Sequence, residues 1–205
     1  CASVGKHPRT PDGLKAATTE SDQIAEWWNR WPNAGVAIRT GAPSGLVVVD
    51  IDPDHGGDKT LANLQAEHGP LPVCRTIRTG SGGRHLYFAH PGHSLPNTAG
   101  RLGSGVDTRA DGGYVIAPPS RHRAGGNYKV TSYGQLLPEL PTWVLRSLQP
   151  APPRMAPATS QLRDATAWAK AAVDGELDRL RHASEGSRND TLNRVAFRLG
   201  QIIGG

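Results

Sequence analysis

Apolar and polar positions along this chain switch between two periods, and the switch points mark its elements. From Ser21 onward, Ile24, Trp27, Trp28 and Trp31 recur at helical spacing. That spacing predicts an amphipathic helix capped by Ser21, closed by Pro32-Asn33, with its tryptophans in the core. A short strand is expected at Val36–Arg39. Gly41–Gly45 then turns the chain into Leu46–Val49, an apolar run that reads as a strand buried on both faces. Beyond a loop at Gly56-Gly57, Thr60–His68 is expected to be helical, with Leu61 and Leu64 inward. Val73–Thr79 and His85–Ala89 read as two strands joined by Gly80-Ser81-Gly82-Gly83-Arg84. Gly113–Ala117 is a further apolar strand closed by Pro118-Pro119. Tyr128–Val130 reads as an edge strand and Leu140–Leu148 as a helix. Residues 1–20 are rich in Gly, Pro and Thr and show no periodicity.

Hairpin-like connections, in place of regular βαβ repeats, argue for an α+β fold. Residues 1–149 form the expected main domain. Residues 150–160 are a linker by composition, with Pro152, Pro153 and Pro157 among alanines. In residues 161–205, Leu162, Ala165, Trp168, Ala172, Leu177 and Leu180 fit an amphipathic helix with a candidate break at Gly175. A capping-box pattern, Ser187-Arg188-Asn189-Asp190, announces a second helix carrying Leu192, Val195, Leu199 and Ile202 on one face. Two helices bury their stripes poorly alone, so they are expected to pack on the main domain or to begin a larger bundle. The chain starts at Cys1 and stops directly after a helical pattern, and it reads as a fragment of a longer polypeptide.

Composition narrows the partners. The 205 residues, 37% of them hydrophobic, support one domain with a modest core and an extra piece. A net charge of +5 and a pI of about 9.6 favour anionic partners such as nucleic acid or nucleotides. No apolar segment approaches the roughly 20 residues needed to cross a bilayer, and no signal peptide is visible. Cys1 and Cys74 are too few for a disulfide framework or a zinc site. Both read as reduced thiols in a cytoplasmic protein, with Cys74 a small core or loop residue.

Three segments carry candidate chemistry. Val47-Val48-Val49-Asp50-Ile51-Asp52 ends a buried strand in two aspartates that period-2 geometry puts on one face. Two desolvated carboxylates repel, and a divalent cation relieves both costs; the plain alternative is a strand cap facing water. In Ser81-Gly82-Gly83-Arg84-His85, adjacent glycines let backbone N–H groups approach phosphate oxygens while Ser81, Arg84 and His85 add donors. The segment matches neither a Walker P-loop nor a Rossmann fingerprint, and such glycine hairpins are usually only turns. In Gly105-Val106-Asp107-Thr108-Arg109-Ala110-Asp111-Gly112-Gly113-Tyr114-Val115, a third carboxylate and an arginine approach an apolar strand. Three carboxylates with basic residues nearby suit two-metal phosphoryl transfer. Asp107 is preferred as the third acid because Asp111, before two glycines, reads as a turn residue. His55, His68, His90, His93 and His182 are expected in loops or on solvent faces.

In this order the three segments resemble the bifunctional DNA primase/polymerase (prim-pol) domain of the archaeo-eukaryotic primase superfamily. Gly112-Gly113-Tyr114-Val115-Ile116-Ala117-Pro118-Pro119-Ser120, Gly5-Lys6-His7-Pro8 and the Trp27-Trp28 helix are similar to its other portions, over roughly residues 1–149. The resemblance implies an α+β catalytic core with an RRM-like mixed sheet, followed here by a short α-helical segment. It implies two divalent cations, Mg²⁺ or Mn²⁺, held by Asp50, Asp52 and Asp107. It also implies that His85 and the Ser81–Gly83 backbone, with Arg84, hold the triphosphate of an incoming nucleotide. Lys6, Arg109, Ser120 and His122 fall in matching segments and are assigned to nucleotide or template contact. No structural zinc is expected, because only Cys74 stands where some relatives carry a Cys/His cluster. The implied function is template-directed primase/polymerase chemistry on single-stranded DNA template, primer and nucleoside triphosphates. Its setting would be replication of a plasmid, phage or integrated element. The residues after Ser160 resemble the segment that precedes a helicase-type region in relatives. Two rivals stand beside this reading: a metal-dependent nuclease using the same acids, and a non-catalytic nucleic-acid-binding module with a primase fold.

Overall fold

The computed structural model describes residues 5–123, 125–134, 137–149, 165–183 and 188–203. The expected linker at 150–160, Leu162 and the capping residue Ser187 lie outside the described residues. The chain divides into two compact units, residues 1–150 and 151–205.

In the first unit, α1 (Ser21–Arg30) leads into β1 (Val36–Arg39) and β2 (Leu46–Ile51), followed by α2 (Gly57–His68). Then come β3 (Thr76–Arg78), β4 (Arg84–Ala89), β5 (Val106–Arg109), β6 (Tyr114–Ala117), β7 (Lys129–Ser132) and α3 (Thr142–Leu148). The strands form a five-stranded sheet, ordered β5-β2-β4-β3-β7, and a two-stranded sheet of β1 and β6. Among the described residues every ladder is antiparallel, and parallel pairing is confined to isolated bridges such as Ala89 with Glu139.

The uninterrupted valines of β2 are explained by two coverings. On one face Val47, Val49 and Ile51 join Leu86, Phe88 and Val106 in a core closed by Leu61 of α2 and by Val144 and Leu148 of α3. On the other face Leu46, Val48, Ile77 and Tyr87 meet Val115 of the small sheet and Tyr128. Val47 and Val48 are both fully buried, and each such side chain contributes about 2 kcal/mol. The second covering stops short of the C-terminal end of β2. There the sequence turns acidic, and Asp50 occupies the uncovered part of that face.

Several boundaries differ from the sequence pattern. Ser21 is the first residue of α1, preceded by Glu20, and no side chain caps the helix. Its tryptophans are half-buried and belong to neither core cluster. Trp28 Nε1 donates to the Ala34 carbonyl at 3.3 Å, and the Arg30 guanidinium lies 5.0 Å from the Trp31 ring centre. The second helix begins at Gly57, because Gly56 takes φ 79° and turns the chain directly into it. Val73 is 86% exposed and outside any strand, so β3 shrinks to three residues. His90 is enclosed, not solvent-facing: its side chain is 4% exposed, with Nε2 3.1 Å from Asp111 Oδ1. Cys74 is buried, as expected.

In the second unit, α4 (Ala165–Arg181) and α5 (Arg188–Ile203) contact each other. The helix α4 continues through Gly175, where an added Cβ would meet open space. Val195 is buried, and Leu192 is half-exposed. Glu176 is also buried and accepts from Arg179 and, at 3.1 Å, from Arg198 Nη1. No helix among the described residues is long and apolar enough to cross a membrane.

Candidate active site

Register builds the site. Asp50 lies opposite Asp107 on β5 and opposite His85 on β4. Residues directly opposite in an antiparallel ladder share a face. Asp107, Asp50 and His85 therefore form one row across three adjacent strands. Arg109, two residues beyond Asp107, shares that face. Its Nη2 lies 3.0 Å from Asp107 Oδ2 and 3.9 Å from Asp50 Oδ2. Asp107 Oδ1 accepts from the Gly100 N–H at 2.8 Å.

A cavity of about 490 Å³ opens above the row, lined by Asp50, His85, Arg109, Lys6, Tyr114 and Tyr128 among others. Tyr114 donates its hydroxyl to the Lys6 carbonyl at 2.8 Å, which fixes the N-terminal segment to this wall. Tyr128 stands beside His85, with ring centres 5.9 Å apart. Asn97, also in the lining, accepts from the Ala110 N–H and donates to the Asp111 carbonyl. A Cβ on Gly113 would fall 2.4 Å from Asn97 Oδ1, so glycine is required for this close approach.

Electrostatics sets the two central groups apart. Burial pushes the Asp50 carboxyl up to about 6; Arg109 opposes the rise, while Asp107 and Asp52 add to it. Burial, with Arg109 and Lys6, pushes the His85 imidazole down to about 4, so it is neutral at pH 7. His85 Nε2 is 3.6 Å from Asp50 Oδ1, and its buried Nδ1 has no hydrogen-bond partner.

Asp52 does not complete a cage. The strand ends at Ile51, and Asp52 begins a short 3₁₀ turn in which Oδ1 accepts from the Asp54 N–H. Its Oδ2 lies 2.8 Å from His55 Nδ1, a contact that raises the His55 pKa. Among the described residues, no group of three His, Cys, Asp or Glu side chains is arranged to hold a metal ion. The all-oxygen pair of Asp50 and Asp107 nevertheless fits a hard divalent cation. Magnesium commonly takes one or two carboxylates and completes its shell with water and substrate phosphates. The upward shift of Asp50 is the repulsion and desolvation that such a cation would relieve.

Other expected contacts are redirected. Arg84 alternates with His85, projects to the opposite face and pairs with Asp58 of α2. Ser120 is buried and clamps β1, its Oγ accepting from the Val36 N–H at 2.7 Å and donating to the Val36 carbonyl. Ser81, Gly82 and Gly83 form the turn into β4 and stand outside the cavity lining. His122 packs edge-on against Tyr128, with ring centres 6.3 Å apart. Asp111 is structural, as expected: it accepts from the Ala42 and Leu95 N–H groups, which lower its pKa. His7, Asn97, Tyr114 and Tyr128 line the cavity without having been singled out as contacts in the sequence. Tyr114 carried a signal as the first side chain after Gly112-Gly113, and His7 stood in the Gly5-Lys6-His7-Pro8 segment.

A carboxylate and a neutral histidine lining a cavity with Lys6 and Arg109, and a second carboxylate paired with Arg109, define a candidate site for phosphate-ester chemistry on an α+β scaffold. The family model of the N-terminal domain of bifunctional DNA primase/polymerases matches residues 1–143, and the chain belongs to that family. No curated protein matches the chain.

Proposed function

We propose that residues 1–149 form a template-directed DNA primase/polymerase that joins an incoming nucleotide to a 3′-hydroxyl and releases pyrophosphate. The observation that carries this reading is the row Asp107–Asp50–His85, of which Asp50 and His85 line one cavity with Lys6 and Arg109. The cavity volume lies in the range of small-ligand sites. Asp50 and Asp107 would hold the divalent cations, Mg²⁺ or Mn²⁺, with Asp52 joining once its carboxylate leaves His55. Cations held there would supply a lowered pKa for the 3′-hydroxyl and neutralisation of charge on the departing pyrophosphate. Lys6 and Arg109 supply positive charge for the triphosphate. His85, neutral at pH 7, offers an N–H donor beside them without adding charge. The net charge of +5 suits a single-stranded template and primer, and binding weakens as salt rises. Replication of a plasmid, phage or integrated element is the proposed setting.

The test is extension of a labelled primer on single-stranded template with Mg²⁺ or Mn²⁺ and nucleotides, with a parallel reaction lacking primer. Asp50→Asn and Asp107→Asn are expected to lose at least about a hundredfold in rate. Arg84→Ala, altered on the opposite face, should retain it. Cleavage of DNA without nucleotides would replace the reading with a nuclease. DNA binding indifferent to cation and nucleotide, with no synthesis, would leave a non-catalytic module.

A further inference from the structure

The acid pair already carries a cation of its own. Arg109 reaches Oδ2 of Asp107 at 3.0 Å and Oδ2 of Asp50 at 3.9 Å. Of the other two oxygens, Asp107 Oδ1 takes the Gly100 N–H, and Asp50 Oδ1 lies 3.6 Å from His85 Nε2. A divalent cation held by the pair would need the carboxylates that Arg109 now neutralises. The guanidinium and the cation are like charges competing for one place. Lys6, by contrast, makes no ion pair with either acid among the described residues.

Arg109 also lines the cavity and is 36% exposed, so it has somewhere to go. A phosphate chain in that cavity offers its planar fork a bidentate partner. We propose that Arg109 is a two-position counterion, held on Asp50 and Asp107 in the empty site and transferred to phosphate oxygens when cation and nucleotide enter together. The inference rests on the reading of Asp50 and Asp107 as the cation-holding pair. It makes the two ligands mutually reinforcing, because nucleotide removes the competitor of the cation, and linkage requires the reverse as well. Arg109 is thereby a gate against cation binding without nucleotide.

The experiment titrates the chain with Mn²⁺ alone, reading free ion by electron paramagnetic resonance, and separately measures nucleotide binding in EDTA. Arg109→Gln is expected to tighten Mn²⁺ binding at least about fivefold and to weaken nucleotide binding in EDTA. Arg109→Lys, which keeps the charge, should hold Mn²⁺ closer to wild type. An Arg109→Gln chain that melts normally but binds Mn²⁺ unchanged or more weakly would overturn the proposal. Arg109→Met repeats the comparison should the glutamine variant fail to fold. An Asp50→Asn/Asp107→Asn chain that still binds Mn²⁺ like wild type would instead overturn the reading of the acid pair.

Discussion

Asp50 and His85 exchange roles when the chain folds. In the unfolded chain Asp50 loses its proton near 3.8 and His85 near 6.5; folded, His85 titrates near 4 and Asp50 near 6. Between those values the unfolded pair is charged on both members and the folded pair is neutral on both. The raised Asp50 makes stability fall as pH climbs from about 4 to 6, because the folded state then binds the extra proton. The lowered His85 makes stability rise over about 4 to 6.5, because there the unfolded state binds it. The two trends nearly cancel in the wild type and separate on mutation. In EDTA, Asp50→Asn should gain on wild type by about 2–3 kcal/mol as pH rises from 4 to 6. His85→Gln should lose a similar amount against wild type from 4 to 6.5. Denaturant melts at four or five pH values give both difference curves, and flat differences would refute the exchange. Their strand positions were legible in the sequence because Asp50 ends an uninterrupted apolar run and His85 opens an alternating one. That alternation also put Arg84 on the wrong face for the cavity, a parity that the glycine turn obscured. The turning away of Asp52 was not legible, because nothing in Asp50-Ile51-Asp52 shows that the strand stops at Ile51.

At the scale of elements, the sequence pattern located the apolar strands and missed the polar one. The strand β5 reads Val106-Asp107-Thr108-Arg109, with half its positions charged, yet Val106 and Thr108 are fully buried. Its partner β2 makes it a strand, which a local pattern cannot register. Val73 was assigned to β3 on apolar character and lies in water for the same reason, since no neighbouring strand takes it up. Two glycines fix a further long-range relation. The Gly80 backbone meets Gly126, and an added Cβ on Gly80 would fall 2.2 Å from His122 Cβ and 2.7 Å from the Gly126 carbonyl. This contact seats the hairpin Ser120–Tyr128, whose last residue walls the cavity. Gly80→Ala should therefore displace the hairpin, costing about 2 kcal/mol or more, and weaken nucleotide binding through Tyr128. Gly82→Ala has open space but φ +99°, so backbone strain alone should cost about 1 kcal/mol with binding kept. Equal nucleotide affinities in the two variants, measured by fluorescence titration, would break the link between hairpin and cavity.

For the whole molecule, the question is what the two units owe each other in stability. Proline and alanine interrupt the periodic pattern between residues 149 and 161. The arrangement of two sheets was not readable, since β1 pairs with β6 across more than half of the first unit's sequence. Among the described residues, every buried member of both large apolar clusters lies between Leu46 and Leu148, with Ile38 packed against the second. The row Asp107–Asp50–His85 and its cavity also lie within the first unit. The members of each cluster belong to the first unit, and a hydrophobic core of its own is the condition for independent folding. A chain ending at Gln149 should then unfold in a single cooperative transition, as expected for a domain of this size. Its midpoint in urea should lie close to the main transition of the 205-residue chain. The α4–α5 pair, with Glu176 held between Arg179 and Arg198, should add a separate transition of small amplitude. Circular dichroism and tryptophan fluorescence distinguish the two, since Trp27, Trp28, Trp31 and Trp143 belong to the first unit and Trp168 to the second. A truncated chain that fails to fold would show that the helical segment supplies part of the first unit's stability.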